Sequence, residues 1–140
     1  MNLTYRCKRI ELNNQISVKE PILPVTLIGN NNNQLNVTAI LDSGSDFVLL
    51  PLEIAEILQL KFNVSEKEMA KLYTGNTITT TQSQVKIRLE KGHEHTEISC
   101  NCAIFLEKEK QHEHIIFGSS FFEHFKIIFD NPNNRFSIKR

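Results

Sequence analysis

Residues 39–51 read AILDSGSDFVLLP. Ile40 and Leu41 run into Asp42-Ser43-Gly44-Ser45-Asp46, and four apolar residues then lead to Pro51. Asp, Ser and Gly are turn formers, so a surface turn accounts for the composition. It could also explain the acid set inside this most apolar segment, but a buried acid with a chemical role explains it more sharply, and that is the expectation this stretch sets.

The segments on either side read as short strands. PILPVTLIG and QLNVTAIL flank an Asn run at 30–33, which predicts strands over 22–28 and 34–41 joined by a hairpin about Gly29-Asn30. After the acidic turn, FVLL predicts a buried strand. PLEIAEILQL predicts a helix over 51–59, with Pro51 in its first turn and Ile54, Ile57 and Leu58 at helical spacing. Residues 61–71 are polar and weakly patterned. Tyr73-Thr74-Gly75-Asn76 reads as a hairpin tip, and the alternation of Val85, Ile87 and Leu89 as a strand. Lys91-Gly92 marks a turn, Glu97–Leu106 a second strand, and Glu107–Glu113 a charged loop. Ile115-Ile116-Phe117 is a buried strand broken by Gly118. A helix capped by Ser119 or Ser120 then runs through Phe125. KIIFD, a turn at Asn131–Asn134, and RFSIK close the chain. No repeat and no linker divides it, so residues 1–140 are expected to form one domain, mainly β with two short helices.

The bulk properties exclude several classes. The chain has 140 residues, 40% of them hydrophobic, enough for a core. Its 16 basic and 16 acidic residues cancel to +0, with no basic stripe, so neither nucleic acid nor an anionic membrane is an expected partner. The N-terminus lacks the apolar core of a signal peptide, and no run approaches the ~20 apolar residues of a spanning helix. A soluble cytoplasmic protein is the expectation. Cys7, Cys100 and Cys102 are an odd number and suggest reduced thiols. The Phe-rich block 117–129 reads as core and dimer contact, and no cofactor is expected.

Asp42-Ser43-Gly44-Ser45, preceded by Ala39-Ile40-Leu41, resembles the D-[ST]-G-[AS] loop of retropepsin-like aspartic proteases. PLEIAEILQL resembles the helix P-x-x-x-A-x-x-L-x-L of small cellular members. Ile115-Ile116-Phe117-Gly118, followed by Phe121-Phe122 and a strand ending Phe129-Asp130, resembles the family's later apolar-apolar-Gly, helix, strand signature. The likeness spans about residues 20 to 138. It implies a closed, mostly antiparallel β-barrel of the acid-protease type that works as a homodimer. The implied activity is aspartic endopeptidase, hydrolysing a peptide or protein substrate. One carboxylate takes a proton from water while its protonated partner stabilises the oxyanion. Two carboxylates so close share a proton. Each chain supplies one such turn, so the pair requires Asp42 from both subunits. By the same resemblance Ser43 hydrogen-bonds across the dimer and Gly44 lets substrate approach. Ser45 fills the fourth motif position. Tyr73, Thr74, Gly75 and Asn76 form the flap over the substrate, and Ile116-Phe117-Gly118 pack behind the loop. The termini, residues 3–10 and 135–139, contribute to the interface.

Some features depart from the family or point elsewhere. Many retroviral relatives carry Arg after the later Gly, paired with an acid at the position of Asp46. Here Ser119 stands there, so Asp46 is expected to have another partner or to lie near solvent. The flap has Gly75 but no Gly-rich tip. The pairs His93-x-His95 and His112-x-His114 have the period of one strand face and raise a metal site, yet they lie in charged runs that look like exposed hairpin ends. His124 is expected on the outer face of the second helix. The alternative function is a catalytically inactive retropepsin-like module for dimerisation or peptide binding.

Overall fold

The computed structural model describes residues 1–11, 16–71, 77–107 and 115–140. Twelve strands and two helices follow in order: β1 (Asn2–Arg6), β2 (Lys8–Glu11), β3 (Ser17–Glu20), β4 (Ile22–Ile28), β5 (Gln34–Leu41), β6 (Val48–Pro51), α1 (Leu52–Ile57), β7 (Glu68–Lys71), β8 (Thr77–Lys91), β9 (Glu94–Phe105), β10 (Ile115–Phe117), α2 (Ser119–Phe122), β11 (Lys126–Asp130) and β12 (Arg135–Lys139). The chain is mainly β, as the sequence predicts.

Seven strands form the principal sheet, in the order β4-β5-β10-β6-β9-β8-β7, and β4 also pairs with β8. Most neighbours are antiparallel. β10 runs parallel to β5, and β6 parallel to β9. Period-2 alternation drives the long β8–β9 hairpin. Val85, Ile87 and Leu89 on one strand, and Ile98, Cys100, Cys102 and Ile104 on the other, turn into the core. Gly92, at φ +63°, makes its tight turn. The core continues through Leu23, Val25 and Leu27 of β4, Val48 and Leu50 of β6, and Phe117 and Phe121.

The Asn run has a structural use. The β4–β5 turn places Asn31 and Asn32 at φ 57° and 59°, a region Asn tolerates. Asn30 donates its backbone N–H to Leu58 O (3.0 Å) and its amide to Gln59 O (2.7 Å). The turn thereby satisfies carbonyls at the end of α1 that have no helical partner. α1 is shorter than 51–59, because Pro51 is the residue before the helix and Leu58 the one after it. Ile57, its last residue, lies exposed, while Leu58 just after it is buried.

Other expectations are corrected. The N-terminal strand breaks at Cys7 into β1 and β2, and β2 pairs with β3 in a separate two-stranded sheet that the polar sequence did not announce. The weakly patterned 61–71 stretch contains β7, whose one strand partner among the described residues is β8. Its polar lead-in is tied down by hydroxyls of β8: Thr81 Oγ1 donates to Asn63 O (2.9 Å) and Ser83 Oγ to Lys61 O (2.6 Å). α2 ends at Phe122, not Phe125, so His124 is a half-buried residue of the turn after the helix.

The terminal strands form a third sheet, β1-β12-β11. Its register puts Leu3, Ile138 and Ile127 in one row and Tyr5, Phe136 and Phe129 in the next. Tyr5 stacks on Phe136 with ring centroids 5.3 Å apart. The expected turn between β11 and β12 is present, with Asn134 at φ 55°. Asp130 accepts two bonds from the Asn133 amide and an ion pair from Arg135 (2.9 Å). The Asn133 amide first, and Arg135 next, hold its carboxyl below the usual range.

Candidate active site

β5 and β6 are the two arms of the Asp42–Phe47 loop, and β10 lies between them. Ile116 is opposite Ile40 on one side and Leu49 on the other. The three strands bury Ala39, Leu41, Val48, Leu50 and Phe117, so the loop rises from a fixed apolar base. Fully burying one such Leu or Phe side chain stabilises the fold by about 1.5–3 kcal/mol. The position of the loop is therefore far better determined than a free turn's.

Backbone bonds fasten the loop to β10 and α2. Asp42 N–H donates to Phe117 O (3.0 Å), and Ser45 N–H to Asp42 O (3.1 Å). The first N–H groups of α2, which no helical carbonyl can meet, are used here. Gly118 N–H donates to Phe47 O (3.1 Å), Ser119 N–H to Ser45 O (2.8 Å) and Ser120 N–H to Asp46 O (3.1 Å). The predicted Ser cap is absent for this reason, and Gly118 occupies the cap position without a side-chain bond. A Cβ on Gly118 would stand 2.2 Å from Ser45 O. Gly118 thus packs directly behind the loop.

Ser120 has a role that the sequence reading assigned only to helix capping. Its hydroxyl accepts from Val48 N–H (2.9 Å) and donates to Asn101 O (3.0 Å). It joins α2, β6 and β9 at the base of the loop. The signal in the sequence was a Ser pair directly after Gly118, but its partners lie 19 and 72 residues away.

The side chain of Asp42 corrects the opening expectation. It is exposed in the isolated chain, not buried. Its Oδ1 accepts a bond from Gly44 N–H (2.9 Å), a local turn that fixes the carboxylate above the loop. Gly44 gives it room, since a Cβ there would approach Oδ1 to 3.2 Å. Ser43 is exposed, and its hydroxyl has no partner among the described residues. Ser45 Oγ donates back to Phe47 O (3.1 Å). Asp46 is exposed and makes no ion pair among the described residues. A cavity of about 770 Å³ lies against Thr26, Thr38, Pro51 and Ile54 and does not include Asp42. The open carboxylate, rather than that cavity, is the chemically equipped feature.

The proposed flap residues Tyr73, Thr74, Gly75 and Asn76 lie outside the described residues, as do His112 and His114. The flanking strands β7 and β8 are paired from Glu68↔Thr80 to Lys71↔Thr77. His93 and His95 are exposed at the β8–β9 turn. Among the described residues, no group of three His, Cys, Asp or Glu is placed to hold a metal. Cys7, Cys100 and Cys102 are free thiols, and burial pushes Cys102 up to about 12. No described helix is long and apolar enough to cross a membrane.

The model of the eukaryotic aspartyl protease family matches residues 10–140, and the chain belongs to that family. Among solved structures, the fold is shared with a retropepsin-like aspartic protease from Rickettsia conorii. That likeness has a TM-score of 0.53 at 12% identity, over 99% of this chain and 92% of the other. No curated protein sequence matches.

Proposed function

We propose that the protein is an aspartic endopeptidase whose water-activating pair is Asp42 from each of two identical chains, each a single protease domain. The observation that carries this reading is the exposed Asp42 carboxylate on a backbone-locked loop between buried strands, in a chain of the aspartyl protease family. One such loop per chain gives half a site. A two-fold axis beside it supplies the other half.

The chemistry follows from the pair. The ionised member removes a proton from water as the water attacks the scissile carbonyl. The protonated member gives its proton to the oxyanion side and so limits charge build-up. Gly44 N–H holds the carboxylate orientation without adding charge. Ser43, whose hydroxyl has no partner among the described residues, would bond across the axis. Peptide would lie extended between the loops and the β7–β8 hairpins, gripped by main-chain bonds.

The terminal sheet supports a mode of pairing different from the one first expected. β12 is an inner strand, taken on both sides by β1 and β11. The outer edge of β1 is covered by side chains of the β8–β9 hairpin: Asn2 N–H donates to Glu94 and Thr4 O accepts from Lys91. Among the described residues nothing pairs with the outer edge of β11, where Ile128 and Phe129 are exposed. We therefore place the dimer contact at β11 against its own copy.

Asp42→Asn tests the activity. The variant should keep its circular dichroism and its mass in solution, while cleavage of an unfolded protein substrate falls by at least roughly 10²–10⁴. Undiminished cleavage would remove Asp42 from the mechanism. A wild type that binds a peptide-like transition-state inhibitor but cleaves nothing would establish the inactive peptide-binding module instead.

A further inference from the structure

We propose that a second site, remote in chemistry from Asp42, binds a phosphate-type dianion in the cavity between the β2–β3 hairpin and the β11–β12 turn. The cavity measures about 390 Å³ and is lined by Cys7, Arg9, Ser17, Lys19, Asn131 and Asn134. Arg9 and Lys19 are directly opposite each other across the hairpin. Like charges at that register repel, and a sequence keeps them there at a cost unless an anion lies between. No ion pair among the described residues reaches either one.

The nearby acids are engaged elsewhere or lie off the cavity lining. The Asp130 carboxylate is held by Asn133 and Arg135. Glu20 stands opposite Lys8, on the other face of the hairpin. Glu11 shares the face of Arg9 but is opposite Ser17 and does not line the cavity. What remains is two cations with a hydroxyl and two carboxamides. Arg supplies a planar fork of donors, Lys a compact charge, and Asn and Ser the neutral donors that complete a tetrahedral shell. Two positive charges match a phosphate monoester better than a single carboxylate.

The walls are fixed before any ligand arrives. Cys7 N–H donates to Asn134 O (2.8 Å), tying the root of the hairpin to the turn. Cys7 is also a built-in reporter, because it is half-buried while Cys100 and Cys102 are buried. Burial raises its thiol first, Lys19 draws it back down and Glu20 raises it again, so the ammonium and the Glu20 carboxylate are both within electrostatic reach of Sγ.

The test measures iodoacetamide alkylation of Cys7, followed by peptide mass, in the full chain at fixed pH and ionic strength. Inorganic phosphate should slow the reaction several-fold and saturably, while chloride at matched ionic strength does not. The double substitution Arg9→Gln, Lys19→Gln should abolish the phosphate-dependent ratio; both side chains are exposed, so the fold should survive. An absence of saturable protection, or equal protection in the double variant, would overturn the site. Equal protection by acetate would overturn the phosphate assignment. The readout needs no proteolysis, so it stands or falls apart from the role of Asp42.

Discussion

At the scale of single residues, Gly118 shows how tightly the Asp42 loop is set. Its φ of −107° is open to any residue, so glycine is not needed for backbone reasons. It is needed for contact, because a Cβ would meet Ser45 O at 2.2 Å and Phe47 O at 2.8 Å. Both are backbone atoms and cannot rotate aside. Gly118→Ala should cost roughly 1–3 kcal/mol, the range for overpacking. The measurement is the urea midpoint, taken together with the rate of peptide cleavage. The rate should fall more than the loss of folded protein explains, because the displaced atoms belong to the loop. The motif itself was legible in the sequence, because Asp-Ser-Gly is local and its turn bond spans two residues. Exposure of Asp42 was not legible. An acid flanked by buried strands looks buried on paper, whereas β5 and β6 end just where the loop lifts the carboxylate out.

At the scale of elements, strands with strong alternation were readable and those held by a single neighbour were not. The boundaries of β4, β5, β10, β11 and β12 follow the apolar pattern directly. The β2–β3 hairpin escapes it because it buries little, and β7 because it takes its order from pairing with β8. The Asn run illustrates a middle case. Its turn was legible, but its contact with the end of α1 spans 29 residues and was not. That contact can be tested. Asn30→Ala removes the amide bond to Gln59 O and should cost about 0.5–1.5 kcal/mol. Gly29→Ala should cost more, since its Cβ would fall 2.0 Å from Leu58 O. Thermal unfolding of both variants orders the two effects. The reverse order would mean that the turn slides off α1 freely.

At the scale of the molecule, a complete pair of Asp42 carboxylates depends on where a second chain can add. The inner face of the terminal sheet is covered at β1 and β12 and open at β11. Along one row Tyr5 is 9% exposed, Phe136 0% and Phe129 42%. An apolar row that ends in the open beside an unpaired strand edge is the arrangement natural sheets avoid or use for association. β1 avoids it through Lys91 and Glu94, and β11 has no such cover among the described residues. Antiparallel pairing of two β11 strands about a two-fold axis would give a six-stranded sheet and bury both copies of Phe129. Phe129→Asp places two carboxylates at that axis, where they repel and lose water. The variant should sediment as a monomer with an unchanged circular dichroism spectrum. Its cleavage should fall with the dimer fraction and recover in part as protein concentration rises, because mass action restores the pair. A variant that stays dimeric and fully active would move the contact away from β11. A monomer with full activity would remove the need for two copies of Asp42.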